Sequence, residues 1–289
     1  MLTALIKTMR PRQWTKNIFI FAALVFDKQL FHPDAFLRTL AGFALFCLIS
    51  SSVYIFNDIA DVEADRQHPE KKNRPIPSGK LPVSTAWVAG IVLVLITVVT
   101  SYFLTPGFGA VVLIYFVLFM AYTKWLKHIP ILDVLILAAG FVLRVHAGVT
   151  LIAVERFSPW LYVVMSLLSL FLGFGKRRAE IALLAQGAGS HRKVLEGYTL
   201  PLLDQYIMIV SGTTIVAYSL YTFSAPNVPE NHSMMLTIPF VMYTIFRYLY
   251  LIQVENIGGS PEEILLTDRP FQIAMILWGA AVLAIFYLS

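Results

Sequence analysis

The sequence predicts an all-α integral membrane protein with nine transmembrane helices. Of its 289 residues, 58% are hydrophobic and 13% are charged, whereas soluble domains carry about 25% charged residues. The mean hydropathy is +0.73. A helix needs about 20 mostly apolar residues to cross a bilayer, and several segments reach that length. The nine candidate segments are 17–33, 35–56, 83–104, 107–124, 130–152, 159–176, 200–223, 233–254 and 270–288.

The first of these segments follows a basic stretch and has the outline of a signal peptide. Its run FIFAALVFDKQLF offers no small-x-small cleavage site, and eight further apolar segments follow it. We therefore expect a retained first helix. Because no change of composition marks a linker, the sequence predicts one polytopic membrane domain over 1–289.

The basic residues are distributed unevenly between the connections. The net charge of +5 and the pI of about 9.2 could indicate a nucleic-acid partner. With a cytoplasmic N-terminus, however, most of the 22 Lys and Arg residues fall in cytoplasmic connections, as the positive-inside rule requires. This pattern predicts an extracytoplasmic C-terminus and no nucleic-acid partner. The longer cytoplasmic connections, 57–82, 177–199 and 255–269, are where we expect the functional groups.

The stretch FNDIADVEADRQHPEKKNRPIPSGKLP, residues 56–82, concentrates charge directly after an apolar segment. Asn57, Asp61 and Asp65 are spaced i, i+4, i+8, so a continuing helix would align their oxygens on one face. Asp58 would then point elsewhere. Oxygen ligands from one helix suit Mg²⁺, which keeps waters or takes phosphate oxygens at its other positions. The alternative is a solvated helix end that pairs with neighbouring basic residues.

Basic side chains come from four connections on the same side of the predicted membrane. They can converge because they share the cytoplasmic face, and together with Mg²⁺ ligands they predict a clamp for a diphosphate. Taken singly, each is also explained as a topology signal or a lipid-headgroup contact. The candidate substrate-binding residues are Arg12, Lys16, Arg74, Tyr122, Lys124, Lys127, Lys176, Arg177 and Glu180.

The acidic stretch resembles the first aspartate-rich motif, N-D-x-x-D-x-x-x-D, of the UbiA superfamily of intramembrane prenyltransferases. The run YTKWLKHIPILDVLILAAGFVLR is similar to the family's connection between its fourth and fifth helices. The resemblance covers essentially the whole chain. It implies nine helices around a central cavity that opens sideways to lipid, with Mg²⁺ holding a diphosphate. The implied metal ligands are Asn57, Asp61 and Asp65, and the implied catalytic residues are Asp58, Asp61 and Asp65.

One segment departs from the superfamily pattern. Most members carry a second D-x-x-x-D motif after the sixth helix, where this sequence has GKRRAEI with Glu180 as its single carboxylate. The basic segment argues against a prenyl diphosphate held by two metals and suits a more heavily phosphorylated donor. With MRPRQWTKNIFIFAALVF, it is similar to a branch that transfers phosphoribose from 5-phosphoribosyl 1-diphosphate to a polyprenyl phosphate of the decaprenyl type.

That branch implies a reaction at the cytoplasmic rim of the bacterial inner membrane, where a water-soluble donor meets a lipid phosphate. The diphosphate is released, and the product is a precursor of cell-wall arabinan. The implied roles are phosphate contacts for Arg12, Lys16 and Arg74, substrate contacts for Tyr122, Lys124 and Lys127, and donor contacts for Lys176, Arg177 and Glu180, with ribose hydroxyls as an alternative for Glu180.

Two charged residues fall in the fifth segment. Asp133 lies early in it and is expected to pair with Lys127. Arg144 lies deeper, where an unpaired charge would cost about 2.5–3.5 kcal/mol on insertion scales, so we expect it to have a buried partner. Cys47, the only cysteine, is expected to be a small buried apolar residue.

Two other functions stay open at this point. The first is transfer of a prenyl group from a prenyl diphosphate to an aromatic acceptor, which GKRRAEI disfavours because the second aspartate pair is missing. The second is transport through a charged cytoplasmic gate. Transporters commonly carry internal repeats or broken helices, and neither is visible in the sequence.

Overall fold

Every regular element in the described part of the chain is helical. The computed structural model describes residues 1–154, 158–185, 193–255, 264 and 266–288. Eight helices, α3 and α5 to α11 (α10 together with the 3-10 turn Ser233–Thr237 before it), are long and apolar enough to cross a membrane. The expected segments from 35–56 onward are therefore confirmed, and the chain is a multi-pass membrane protein. The helices are α1 (Leu2–Thr8), α2 (Ala22–Phe26), α3 (Pro33–Ala60), α4 (Val62–Gln67), α5 (Val83–Leu104), α6 (Pro106–Lys124), α7 (Leu132–Val149), α8 (Pro159–Ala185), α9 (Leu200–Ser224), α10 (Ile238–Gln253) and α11 (Arg269–Tyr287).

The first expected segment, 17–33, takes a different form from the one predicted. It runs as a 3-10 helix over Pro11–Phe21 and continues as α2. Arg10, in the left-handed region at φ 53° and ψ 62°, separates it from α1. Because a 3-10 helix rises about 2.0 Å per residue, the stretch from Pro11 to the end of α2 reaches about 30 Å, the thickness of the hydrocarbon core. The segment begins earlier and is wound more tightly than expected, and its first turns carry Arg12 and Lys16.

The chain divides into two compact units. The first contains the 3-10 helix, α3 to α6 and the end of α7, and the second contains the start of α7 and α8 to α11. The prediction of one polytopic domain over 1–289 stays a prediction. The first unit is Met1–Val25, Gln29–Lys127 and Leu143–Val154, and the second is Phe26–Lys28, His128–Val142 and Glu155–Ser289.

The first unit is organised around α3, which packs against α5, α6 and the 3-10 helix. Gly90 permits the close approach of α5, because a Cβ there would lie 2.8 Å from the Phe56 ring. Phe56 also contacts Trp87 of α5 and Phe116 of α6, with ring centres 5.2 and 6.0 Å away. These contacts fix the end of α3 that carries the acidic motif.

Within this unit, a buried polar network ties the end of α7 to α6 and the 3-10 helix. Arg144, 5% exposed, donates from Nε to Asn17 Oδ1 (2.8 Å) and from Nη2 to the Tyr115 hydroxyl (2.9 Å). Asn17 in turn donates to Cys47 Sγ (3.2 Å) and Ser50 Oγ (3.3 Å) on α3. The expectation of a buried partner for Arg144 is confirmed, and Cys47 is buried as expected.

In the second unit, α8 packs along α9, and α10 packs against α11. The shared core includes Val134 of α7 and Phe171 of α8. Gly175 allows α10 to approach closely, because a Cβ at this position would lie 2.8 Å from the Tyr248 hydroxyl. This contact immediately precedes the basic segment 176–180 and fixes the helical turn from which its side chains project.

Candidate functional site

The acidic motif lies at a break between two helices. α3 ends at Ala60, Asp61 leaves helical geometry at φ −96° and ψ 7°, and α4 begins at Val62. Asp58, in the last turn of α3, and Asp65, in α4, contact the same arginine side chain. They are seven residues apart, about two helical turns, and therefore lie on one face. The expectation of one continuous helix with Asp58 pointing away is therefore wrong, because Asp61 interrupts the helix and Asp58 lies on the same side as Asp65.

Arg74 joins these two carboxylates through one nitrogen atom. Its Nη1 donates to Asp58 Oδ1 (3.2 Å) and to Asp65 Oδ2 (2.7 Å). The Asp58 and Asp65 side chains are only 2% and 5% exposed, so their charges require close cations to offset the loss of water. Lys71 adds to the positive charge here, with Nζ 3.9 Å from Asp65 Oδ1.

The loop that carries Arg74 is anchored by apolar side chains. Ile76 and Leu81, 1% and 0% exposed, belong to a core cluster with the end of α3. The Leu81 N–H donates to the Pro75 carbonyl (2.9 Å), and Gly79 takes the positive φ of 77° that the turn requires. The run NRPIPSG thereby holds the guanidinium group in place at the end of α3.

A second arginine reaches the same carboxylate from the N-terminal stretch. Arg10 Nη2 lies 2.5 Å from Asp58 Oδ1, and its guanidinium carbon lies 4.9 Å from the centre of the Tyr54 ring. The Arg10 side chain is 28% exposed. Asp58 Oδ1 therefore accepts from two arginines, and both guanidinium groups keep an exposed edge.

Asp61 is bound separately from the other two aspartates. Lys127 Nζ donates to both of its oxygens, at 2.6 and 2.9 Å. The Asp61 side chain is 34% exposed and that of Lys127 is 13% exposed. This pair ties the break between α3 and α4 to the short 3-10 helix Leu126–His128 that follows α6.

The oxygen donors of this acidic cluster fit Mg²⁺ in kind. Arg74 Nη1 lies between an oxygen of Asp58 and an oxygen of Asp65. Two carboxylates placed in this way can share a cation. Mg²⁺ sites commonly use one or two carboxylates and complete their shell with waters and substrate phosphates. Within the described residues, no group of three or more His, Cys, Asp or Glu side chains is arranged to hold a metal ion. Phosphate oxygens and waters would therefore have to complete the shell.

A second polar cluster lies in the second unit. Asp133, 0% exposed, accepts from Arg177 Nε on Oδ2 (2.7 Å) and from the Tyr198 hydroxyl on Oδ1 (2.6 Å). Arg177, 3% exposed, also donates from Nη1 to Glu180 Oε2 (2.7 Å). The Tyr198 hydroxyl accepts from the Ile131 N–H (2.6 Å). The cluster therefore runs as a chain of hydrogen bonds from the start of α7 to Glu180 on α8.

The environment of Tyr198 keeps its hydroxyl protonated. Burial raises the pKa of Tyr198, and the hydrogen bond to the Asp133 carboxylate raises it further. A phenol that stays protonated can keep donating to Asp133. The contact is therefore maintained throughout the neutral pH range.

The next residue of α8 binds two other helices. Arg178 Nε donates to Asp204 Oδ1 of α9 (2.6 Å), and its Nη1 donates to the Ile252 carbonyl near the end of α10 (2.8 Å). Arg177 and Arg178 thus hold α8 to α7, α9 and α10. Both arginines of GKRRAEI make contacts within the protein, whereas the sequence predicted that Arg177 faces the donor.

The profile of the UbiA prenyltransferase family matches residues 17–258. The chain belongs to the UbiA prenyltransferase family. Decaprenyl-phosphate phosphoribosyltransferase of Mycolicibacterium smegmatis is 34% identical to this UbiA chain, over 100% of the chain and 94% of the relative. The enzyme of the same name from Corynebacterium glutamicum is 32% identical, over 98% of the chain and 87% of the relative.

The fold of this UbiA chain is also found in solved structures. A UbiA homolog from Archaeoglobus fulgidus bound to GPP and Mg²⁺ superimposes with a TM-score of 0.74. It is 18% identical and covers 98% of this chain, with 99% of its own chain covered. The all-α, UbiA-type fold expected from the sequence is therefore confirmed.

One predicted pair in the UbiA chain is corrected by the structure. Asp133 was expected to pair with Lys127, but Asp133 pairs with Arg177 and Lys127 pairs with Asp61. The reason is burial: Asp133 is fully buried at the start of α7, where the nearly buried Arg177 reaches it from α8. Sequence proximity is a weak guide here, because partners on neighbouring helices compete with local ones.

The remaining predicted site residues differ in their exposure to solvent. Arg12 and Lys124 are exposed, and Lys124 Nζ lies 4.6 Å from the centre of the Trp125 ring. The half-buried ones are Asn57, Lys16, Tyr122 and Lys176.

Two functional candidates were missed by the sequence analysis. The sequence indicated Arg10 only as one of several N-terminal basic residues. Its contact with Asp58 depends on a left-handed backbone conformation, which an arginine at this position does not predict. Tyr198 is a single tyrosine in a polar connection, and its hydrogen bond to Asp133 becomes visible only once the connection before α9 lies against the start of α7.

Proposed function

We propose that the chain is a phosphoribosyltransferase, which moves 5-phosphoribose from 5-phosphoribosyl 1-diphosphate to a polyprenyl phosphate of the decaprenyl type and releases diphosphate. The observation that carries the proposal is the similarity to decaprenyl-phosphate phosphoribosyltransferases, 34% and 32% identical over 100% and 98% of the chain. The departure GKRRAEI from the superfamily's second aspartate motif supports the same branch.

The acidic cluster suits the departing diphosphate. The bond from ribose C1 to the diphosphate oxygen breaks, and an oxygen of the lipid phosphate forms the new bond to C1. We propose that Asp58 and Asp65 hold Mg²⁺, with Asp61 and Asn57 as further candidate ligands. Bound there, Mg²⁺ neutralises charge that develops on the diphosphate oxygens. Because the acceptor phosphate is already an anion, the reaction needs little help from a general base.

The arginines of the cluster have two roles in this proposal. Arg10 and Arg74 stabilise the buried carboxylates and keep exposed edges from which N–H groups can donate to phosphate oxygens. Guanidinium groups are suited to this because they can present two parallel donors to phosphate. Substrate contacts are further proposed for Arg12, Lys16, Tyr122, Lys124 and Lys127.

The second cluster differs from the acidic cluster in its chemistry. Arg177 lies between two carboxylates and is 3% exposed, so its charge is already matched within the protein. Glu180, 21% exposed, presents a carboxylate that can accept hydrogen bonds from hydroxyl groups. We propose that Glu180 binds ribose hydroxyls and that the half-buried Lys176 contacts a phosphate.

The cellular setting follows from the substrates. We propose that the protein lies in the bacterial inner membrane, with the N-terminus cytoplasmic and the C-terminus extracytoplasmic. A cytoplasmic site would meet 5-phosphoribosyl 1-diphosphate from the aqueous side and the lipid phosphate from the bilayer. The product would serve as a precursor for cell-wall arabinan.

The decisive experiment offers the purified protein two donors in parallel. One reaction contains polyprenyl phosphate and 5-phosphoribosyl 1-diphosphate, and the other contains geranyl diphosphate and an aromatic acid, both with MgCl₂. We expect mass spectrometry to find polyprenyl-phosphoryl ribose phosphate in the first reaction, with diphosphate released in equal amount. A prenylated aromatic acid together with no ribosylated lipid would replace the proposal by the prenyl-transfer alternative.

A further inference from the structure

The hydrogen-bonded chain from Tyr198 to Glu180 contains two residues that have no assigned part in the proposed reaction. Asp133 is 0% exposed and Tyr198 is 5% exposed, so neither is available to a substrate in solution. Both nevertheless make short, specific contacts at 2.6–2.7 Å with groups on other elements. Burying a carboxylate is costly unless it is paired and hydrogen-bonded, and here both of its oxygens are used.

Arg177 links the buried Asp133 to Glu180 and thereby restricts the Glu180 side chain. The guanidinium group is planar, and it is held on one side by Asp133 through Nε and on the other by Glu180 through Nη1. Because Asp133 is fixed by Tyr198 and Tyr198 by the Ile131 N–H, the plane of the guanidinium group is fixed as well. A glutamate near a helix end otherwise samples several rotamers.

The charges of Asp133, Arg177 and Glu180 determine which groups of a ligand Glu180 can bind. Asp133 and Glu180 are acidic and bind the basic Arg177 from two sides. Glu180, the member whose side chain is 21% exposed, would accept hydrogen bonds from hydroxyls. Arg177 is therefore not the phosphate contact that its position in a basic run suggests.

We propose that Asp133 and Tyr198 are positioning residues, which hold Arg177 and through it orient the Glu180 carboxylate for the hydroxyl groups of the donor. This inference rests on the proposed function, since it takes the donor to carry a ribose. Neither positioning residue touches the substrate. Their contribution is to remove the freedom that Glu180 would lose on binding, worth about tenfold in donor affinity for a side chain of this length.

The test is a double-mutant cycle on the full-length protein in detergent with MgCl₂, using steady-state kinetics with 5-phosphoribosyl 1-diphosphate and polyprenyl phosphate. Tyr198→Phe removes one hydroxyl and leaves the ring. We expect it to raise the donor KM at least fivefold while the lipid KM stays within twofold. Combined with Glu180→Gln, Tyr198→Phe should change the donor KM by less than twofold, because its effect passes through Glu180.

The matched control is Tyr218→Phe. Tyr218 is also buried at 5% exposure, and its hydroxyl contacts Thr237 and Trp278 at 2.6 and 2.7 Å. It lies about 30 Å further along α9 than Tyr198. We expect both KM values of this variant to stay within twofold of wild type. Arg177→Lys is the second test variant, since it keeps the charge and loses the planar fork, and it should raise the donor KM as Tyr198→Phe does.

The outcomes separate the two proposals. If wild-type protein forms no ribosylated lipid, the proposed function is wrong, and the inference that rests on it is wrong as well. If wild type is active and Tyr198→Phe and Arg177→Lys leave the donor KM within twofold, the inference alone is overturned. A Tyr198→Phe effect of equal size in the wild-type and Glu180→Gln backgrounds would also overturn it, because the hydroxyl would then act independently of Glu180.

Discussion

At the scale of single residues, the acidic cluster is stable because its charges are matched locally. Asp58 and Asp65 are almost fully buried, and the nitrogen atoms of Arg10 and Arg74 lie within 2.5–3.2 Å of their oxygens. Removing one member of a buried pair leaves an uncompensated charge, which typically costs about 3–5 kcal/mol. Substitutions here therefore need to keep charge or size if function is to be separated from folding.

The first residue-scale prediction concerns Arg74. Arg74→Lys keeps the positive charge but replaces a planar fork by a single ammonium group, so it should fold and lose one of its charged hydrogen bonds. We expect kcat/KM for 5-phosphoribosyl 1-diphosphate to fall about 10- to 100-fold, the equivalent of one such bond. Arg66→Lys is the matched control, because Arg66 pairs only with the exposed Glu63 in the described structure and exposed pairs contribute little. Activity of Arg74→Lys within twofold of wild type would contradict a phosphate contact.

The second concerns the metal. Excess chelator should abolish turnover, and added MgCl₂ should restore it. Asp65→Asn removes one charge from the pair of carboxylates that flank a cation position, so we expect the half-saturating Mg²⁺ concentration to rise at least tenfold. Glu63→Gln, on the exposed side of the same helix α4, should leave it unchanged. Full turnover in excess chelator would remove Mg²⁺ from the mechanism.

The residues of this site divide into those that a sequence can reveal and those that it cannot. The aspartate motif and Arg74 are visible because their spacing and charge are local. Asp58 and Asp65 are seven residues apart, about two helical turns, so their common face can also be read from spacing. The interruption at Asp61 cannot, because no proline or glycine marks it. The contact of Arg10 depends on backbone conformation, and that of Tyr198 on how the connection before α9 lies against the start of α7, so neither contact has a local sequence signal.

At the scale of elements, the lengths of the apolar segments predicted eight helices correctly, because the thickness of the bilayer sets the length that a crossing helix needs. The chain around Pro11–Phe21 was harder, because a 3-10 helix and an α-helix bury similar apolar residues and differ only in rise. Its interior polar residue, Asn17, accepts from Arg144 and donates to α3, and these bonds hold the segment in place. Such contacts between elements cannot be read from periodicity.

An element-scale prediction concerns the start of α11. Asp268 accepts from the Phe271 N–H (2.8 Å) as the N-cap and from Arg247 Nη2 (2.7 Å). The hydrogen bond from Arg247 holds the pKa of Asp268 below its usual range, and the one from the Phe271 N–H acts in the same direction. Asp268→Ala should therefore destabilise the protein by about 1 kcal/mol or somewhat more, lowering Tm by a few degrees at neutral pH.

The pH dependence of this effect has a definite sign. Because the pKa of Asp268 is lower in the folded state, its stabilisation is present above the pKa of the unfolded chain, about 3.9, and is lost as pH falls through the folded-state pKa. The Tm difference between wild type and Asp268→Ala should shrink in that range. Asp268→Asn, which can still cap the helix, should lose only the charge-dependent part. A Tm difference that stays constant down to pH 3 would contradict the ion pair.

At the scale of the whole molecule, membrane orientation depends on whether the 3-10 helix and α2 cross the bilayer. Eight helices satisfy the length requirement among the described residues, so the first segment decides between eight and nine crossings. Eight crossings place both termini on one side, and nine place them on opposite sides. The connection between α4 and α5 holds Lys71, Lys72, Arg74 and Lys80, whereas the connection before α3 holds only Lys28.

The last prediction tests this arrangement with topology reporters. The charge asymmetry favours the Lys- and Arg-rich connections on the cytoplasmic side, and nine crossings place the two termini on opposite sides of the membrane. We therefore expect a reporter fused before Met1 to be cytoplasmic, one fused after Ser289 to be extracytoplasmic, and one inserted near Gly187 to be cytoplasmic; Ser289 and Gly187 lie outside the described residues. A cytoplasmic reporter after Ser289 together with a cytoplasmic one near Gly187 would contradict an odd number of crossings between them. An extracytoplasmic reporter near Gly187 would place the segment before it away from the donor's compartment, and 5-phosphoribosyl 1-diphosphate could then not be the substrate that Glu180 binds.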